Sequence, residues 1–116
     1  MKRVYVAGAY SAPDVVTALD NIRRGIRLAT EVLLAGYAPF CPWLDYHFQL
    51  QLKSGERLTV EDYYNYSLAW LEASDAVIVV PERLEQSEGT LRELIRAREL
   101  GLPVYSSMEE LKNGNL

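Results

Sequence analysis

The run Ala76-Val77-Ile78-Val79-Val80 holds five apolar residues with no polar interruption. A strand on a half-solvated sheet alternates apolar with polar residues. This one does not, so both of its faces need cover, as in a central strand of a parallel sheet. Parallel neighbours are reached through crossovers rather than hairpins, and the usual crossover is a helix. The run therefore points to strands alternating with helices.

The rest of the chain follows that alternation. Val4-Tyr5-Val6-Ala7 is β-prone and ends at Gly8. Leu19, Ile22, Ile26, Ala29 and Leu33 recur three or four apart, which predicts a helix that buries this stripe. Gly36 stops it, and Tyr37-Ala38-Pro39-Phe40 makes a second strand. Between Cys41 and Arg57 the pattern is ambiguous, with a short helix near Tyr46–Leu52 and a turn at Ser54-Gly55 as one reading. Thr59 suits the N-cap of a helix reaching Ala73, with Tyr63, Tyr66, Trp70 and Ala73 in register. After the apolar strand come a polar loop from Pro81 to Gly89, a helix from Thr90 to Leu100 and a last strand at Pro103-Val104-Tyr105. Ser107 and Glu110 fit a capping box opening a final short helix. The predicted fold is α/β, one domain over residues 1–116. It is an open, doubly wound parallel sheet of four or five strands, flavodoxin- or Rossmann-like, in the order 2-1-3-4.

Composition narrows the function. With 49% hydrophobic and 24% charged residues, the chain has the make-up of a globular domain. A net charge of −4 offers no basic footprint for a polynucleotide backbone, so nucleic acid is not an expected partner. The single Cys41 excludes an internal disulfide, and one cysteine beside one histidine, His47, does not make a metal site. No run of about 18 apolar residues is present, and the first eight residues are too short an apolar stretch for a signal peptide. These readings predict a cytoplasmic protein without a membrane span. No cofactor is expected either, since neither a dinucleotide fingerprint nor a P-loop occurs.

In doubly wound sheets, ligands sit beyond the carboxyl ends of the strands, where strand order reverses. That rule selects the loops Gly8–Asp14, Pro42–His47 and Pro81–Gly89. The first offers Gly8 for close backbone approach, with Tyr10 and Ser11. The second offers Trp43, Asp45, Tyr46 and His47. A lone histidine is more often a surface residue than a catalyst, and Cys41 between Phe40 and Pro42 reads as a small buried hydrophobe. In the third, Ser87 and the backbone around Gly89 could bind an anion, and Glu93 could attack an electron-poor carbon. The competing reading makes Thr90-x-x-Glu93 a capping box of purely structural meaning. Asp75 precedes its strand and so falls at the opposite end of the sheet. Glu88, Arg92, Glu93 and Arg96 otherwise read as helix-surface pairs.

Three motifs resemble the nucleoside 2-deoxyribosyltransferase superfamily, which includes deoxynucleoside 5′-monophosphate N-glycosidases and small phage-type relatives. They are Ala7-Gly8 with the aromatic Tyr10, Leu68-x-Trp70-Leu71-x-x-Ser74-Asp75, and Ser87-x-Gly89-Thr90-x-x-Glu93 followed by Ala97, Gly101 and Pro103-Val104. Together they span nearly the whole chain. The resemblance implies Glu93 as a nucleophile at C1′ of a 2-deoxyribosyl unit, through a covalent glycosyl intermediate. It implies substrate contacts from Gly8, Tyr10, Ser11, Trp43, Asp45, Ser67, Ser87 and Gly89. Two positions depart from the pattern. Transferases carry aspartate where this chain has Ser87, whereas monophosphate-cleaving members carry a phosphate-binding serine. Ser67 stands where the family places an acid/base aspartate, for which Asp45 or Asp62 are the candidate substitutes. Trp43, Tyr63 and Tyr64 could stack on a base. A catalytically reduced nucleotide-binding module is the alternative reading.

A shallow mouth on four short strands covers a small ligand poorly. The resemblance implies that a neighbouring subunit completes the pocket, so a homodimer is expected. Eight tyrosines against two phenylalanines fit this, since Tyr63, Tyr64 and Tyr66 share one helix and suit an interface.

Overall fold

The computed structural model describes residues 1–81 and 88–116. Four parallel strands, β1 (Arg3–Ala7), β2 (Ala38–Phe40), β3 (Ala76–Val79) and β4 (Val104–Tyr105), lie in the order β2-β1-β3-β4. The helices are α1 (Val15–Leu34), α2 (Tyr46–Leu50), α3 (Val60–Glu72), α4 (Glu88–Glu99) and α5 (Met108–Asn113), with a 3-10 turn at Pro42–Asp45. The predicted α/β class, strand order and open parallel sheet are all present.

β1 and β3 are buried along nearly their whole length, and the pleat sorts their side chains between two cores. Val4, Val6, Ile78 and Val80 meet Ala29, Val32, Cys41, Trp43 and Leu111 on one face. Tyr5, Ala7, Val77 and Val79 meet Leu71 and Ala97 on the other. Helices α1 and α5 thus cover one side of the sheet, and α3 and α4 cover the other. No described helix is long and apolar enough to cross a membrane.

Local chemistry sets the helix starts. Asp14 caps α1, its Oδ1 accepting from Thr17 N at 2.7 Å. Thr59 and Asp62 exchange the two bonds of a capping box at α3. At α5 only half of the expected box forms. Ser107 accepts from Glu110 N, but the Glu110 carboxylate turns back to Ser106 N at 2.6 Å.

The buried stripes differ from the expected ones. α1 buries Asn21, Gly25, Ala29 and Val32, while Leu19 and Leu33 stay about half exposed. The cause is Trp43, which lies flat against the helix where only a glycine fits. A β-carbon on Gly25 would overlap Cδ2, Cε2 and Cε3 of the indole. α3 likewise buries Ser67 and Leu71 and leaves Trp70 half exposed, stacked on Phe40 at 5.6 Å between ring centroids.

Gly25→Ala sets helix propensity against this contact. Alanine gains up to about 1 kcal/mol of helix propensity, yet overpacking a filled core costs about 1–3 kcal/mol. The variant is expected to unfold at lower urea concentration than the wild type. A midpoint at or above the wild-type value would show that the indole has room to move.

Candidate active site

The carboxyl ends of the strands open into a cavity of about 500 Å³. Eight of the nine residues singled out in the sequence line it. Gly8, Tyr10 and Ser11 come from the loop after β1, and Trp43 and Asp45 from the 3-10 turn after β2. Ser67 comes from α3, Gly89 and Glu93 from α4. Ser87, the ninth, lies outside the described residues.

Glu93 is positioned by the stripe that α4 turns to the sheet. Thr90 and Ala97, one turn to either side, are fully buried. Glu88, Gly89 and Thr90 already belong to the helix. Thr90 is therefore not its N-cap, and the capping-box reading of Thr90-x-x-Glu93 does not hold. Glu93 Oε1 instead accepts a 2.8 Å hydrogen bond from the Tyr5 phenol on β1. Burial lifts the Glu93 carboxyl to about 7; the Tyr5 bond opposes the rise and the Asp45 charge adds to it. The Tyr5 phenol is pushed far up by its own burial and by Glu93, and the Ser67 hydroxyl hydrogen-bonds to it. It stays a donor at any physiological pH.

Asp45 forms a second pair of the same kind. It is half-buried, and the Tyr10 phenol hydrogen-bonds to its carboxylate. Burial raises its pKa above the usual aspartate value, and the Tyr10 bond pulls against that rise. Two carboxylates, each held by a tyrosine from β1 or the loop just after it, therefore share one cavity.

Trp43 is 2% exposed, its indole N–H donating to Ala9 O at 3.1 Å. Its ring is part of the wall and has no open face for a base to stack on, because Gly25 covers it. Tyr63 and Tyr64 are more available. Tyr63 donates to Gln49 Oε1 at 2.7 Å, and Tyr64 packs between Gly89 and the Arg92 guanidinium, 4.4 Å from its ring centroid. Arg92 also makes a two-pronged pair with Glu61, and Arg96 pairs with Glu72, so these cations bridge α4 to α3 as well as running along α4. Tyr66 points elsewhere, against Phe40 and Phe48.

Asp62 is committed to its cap and His47 is exposed on α2; neither lines the cavity. Cys41 is buried in the core, which lifts its thiol to about 11. Asp75 accepts from Arg3 N at the amino end of the sheet. Sequence reasoning missed Tyr5, which reads as a core strand residue. Its signal is a phenol at a buried position, where the hydroxyl needs a partner. Gln49, Val60, Glu88 and Thr90 also line the cavity and carry no motif of their own.

No protein-family model and no curated protein matches the chain.

A carboxyl lifted from 4.5 to about 7 makes the fold less stable as pH rises through that window. The folded state there binds a proton that the unfolded chain has released. Fully developed, the cost is on the order of 3 kcal/mol. Glu93→Gln keeps an oxygen acceptor for Tyr5 and removes the titration. The variant is expected to melt well above the wild type at about pH 8 and close to it at about pH 4. A melting-temperature gap that does not change with pH would refute a desolvated carboxyl at this position.

Proposed function

We propose that the protein cleaves or transfers at the N-glycosidic bond of a 2′-deoxynucleoside or its 5′-monophosphate, with Glu93 as the nucleophile. The observation that carries this reading is the 2.8 Å bond from Tyr5 to Glu93 at the edge of a cavity of small-molecule size. Tyr5 engages one carboxylate oxygen and leaves the other for C1′. Attack forms the C1′–O bond of a glycosyl ester as the C1′–N bond breaks. Water or a second base then displaces Glu93. Positive charge develops on the sugar during both steps, and carboxylates lining the same cavity, Asp45 and Glu93, would favour it. Tyr63 and Tyr64 supply ring surface for the base.

The cavity also bears on the phosphate. Its described lining includes Asp45, Glu88 and Glu93 and no Lys, Arg or His. Ser87, through which the resemblance implies a monophosphate, lies outside the described residues. The second reading, a nucleotide-binding module without chemistry, is favoured by Ser67, whose hydroxyl stands at the family's acid position and is engaged with Tyr5.

Incubation with a panel of 2′-deoxynucleosides and their monophosphates, with chromatography of the free base, separates these readings. Base release is expected, and reduced by about three orders of magnitude or more in Glu93→Gln. Binding without base release supports the module, and neither outcome sinks both readings. In the free enzyme kcat/KM should rise through pH 7 as Glu93 ionises. Tyr5→Phe removes the bond that favours the ionised form and should move that limb to higher pH.

A second copy of the chain is proposed to cover a neighbouring hollow of about 530 Å³, which Asp45 also borders. Leu33, Leu44 and Phe48 are about half exposed around it. Sedimentation should give a dimer that Leu33→Asp converts to monomer; a wild-type monomer at high concentration would refute it.

A further inference from the structure

We propose that the cavity takes a nucleoside whose base carries a positive charge, a pyridinium or an N-alkylated purine, and that this base leaves C1′ as a neutral molecule. Its role as a substrate rests on the reading of Glu93 as nucleophile; the preference for a cation rests on the cavity alone. Charge is the first ground. Asp45, Glu88 and Glu93 line the cavity, with no Lys, Arg or His in its described lining. The Arg92 guanidinium over Tyr64 is already paired with Glu61 at 3.1 Å. Residues 82–87, outside the described part of the chain, bring Glu82 and Glu85 against the single Arg83, which does not reverse the balance. Ring surface is the second ground. Tyr10, Tyr46 and Tyr63 line the same cavity, and the face of a phenol ring attracts a cation, more so once water is displaced.

Proton supply is the third ground. A base that leaves as an anion calls for a proton donor beside the ring. The phenol protons placed around the cavity are committed: Tyr5 to Glu93, Tyr10 to Asp45 and Tyr63 to Gln49. Asp45 is the acceptor in its bond, and the Ser67 hydroxyl is far too weak an acid. A cationic base needs no donor. The C1′–O bond to Glu93 forms as the C1′–N bond breaks, and the electron pair of the broken bond neutralises the ring nitrogen. Water then bonds to C1′ as the Glu93 carboxylate departs, and its proton passes to solvent. The positive charge also helps the nucleophile. Glu93 faces Tyr5 from β1, with Ser67 of α3 behind that phenol, and feels the Asp45 charge from the turn after β2. On its own helix Arg92 is paired with Glu61, and Arg96 with Glu72 and Glu99. None of these offers Glu93 a free cation. A cation bound in the cavity favours the ionised carboxylate, so its binding lowers the Glu93 pKa from about 7 and releases a proton into neutral buffer.

The test pairs two carbocyclic 2′-deoxynucleoside analogues whose bases cannot leave. One bears the nicotinamide pyridinium, the other a benzamide of the same shape without the charge. The pyridinium is expected to bind the wild type about tenfold tighter or more. Asp45→Asn should lose most of that preference; if it does not fold, Glu88→Gln, on the exposed start of α4, makes the same comparison. Calorimetry in buffers of different ionisation heat should show proton release at about pH 7 with the cation alone, and none in Glu93→Gln. Turnover is followed with 2′-deoxyribosyl nicotinamide and 2′-deoxyinosine. Acceleration over the uncatalysed reaction should be about 100-fold greater for the pyridinium, which needs no proton donor. Equal binding of the two analogues, or equal acceleration of the two substrates, overturns the cationic class and leaves Glu93 as nucleophile wherever base is released. A preferred pyridinium with no base released from either substrate overturns the reading of Glu93 and leaves the cavity a cation-binding site alone.

Discussion

The site depends on how one indole is buried. Trp43 fills the space between α1 and the sheet, and three neighbours accept it. Gly25 gives its ring a flat seat, Gly8 gives its edge clearance, and Ala9 O takes its proton. A β-carbon at Gly8 would stand 2.9 Å from Val80 Cβ and 3.1 Å from Trp43 Cζ2, so the strand end itself is cut to the ring. Phenylalanine could fill much of the volume but would leave the Ala9 carbonyl without its donor, a loss of about 1–3 kcal/mol for a buried acceptor. Through this contact the loop after β1 and the turn after β2 hold one geometry, and Tyr10 and Asp45 meet as a result.

A second constraint ties α4 to the sheet. Thr90, Glu93 and Ala97 recur at helical spacing, so the stripe that packs on β1 and β3 contains a carboxylate between two small or compact residues. A carboxylate facing a sheet needs a donor, and Tyr5 is the residue on that face of β1 able to reach it. Tyr5 in turn packs against Phe40 at 5.3 Å between ring centroids, so the donor is held by the core rather than by a loop. Pre-organisation of this kind limits rearrangement when charge develops at the carboxylate.

Strand identity and order were legible in the sequence because they depend on local pattern: the unbroken run at Ala76–Val80, short connections and right-handed crossovers. The caps at Thr59 and Ser107 were legible for the same reason. The buried face of α1 was not, because Gly25 belongs to it only through Trp43, eighteen positions away. A periodicity count weighs Leu19 and Leu33 above a glycine, and the structure reverses that order. The cavity lining was readable from the strand-end rule, which needs topology alone. The pairings within it were not, since Tyr5–Glu93 and Tyr10–Asp45 are settled by side-chain reach. Tyr5 was hidden by looking like an ordinary strand residue.

The number of negative charges such a pocket can hold links Ser67 to Asp45. Burial raises the proton affinity of both carboxylates, and the Asp45 charge raises that of Glu93 further. An aspartate at 67, 94% buried against Tyr5, would add a third charge and compete with Glu93 for the same phenol. The cavity would then hold extra protons near neutral pH, and Glu93 would be the group most readily kept protonated. Serine at 67 avoids this, because its hydroxyl bonds to Tyr5 without charge and leaves the phenol free to donate to Glu93. On this argument Ser67 and Asp45 are one arrangement: the carboxylate stands on the turn after β2, where Tyr10 can hold it, and α3 supplies only a neutral contact.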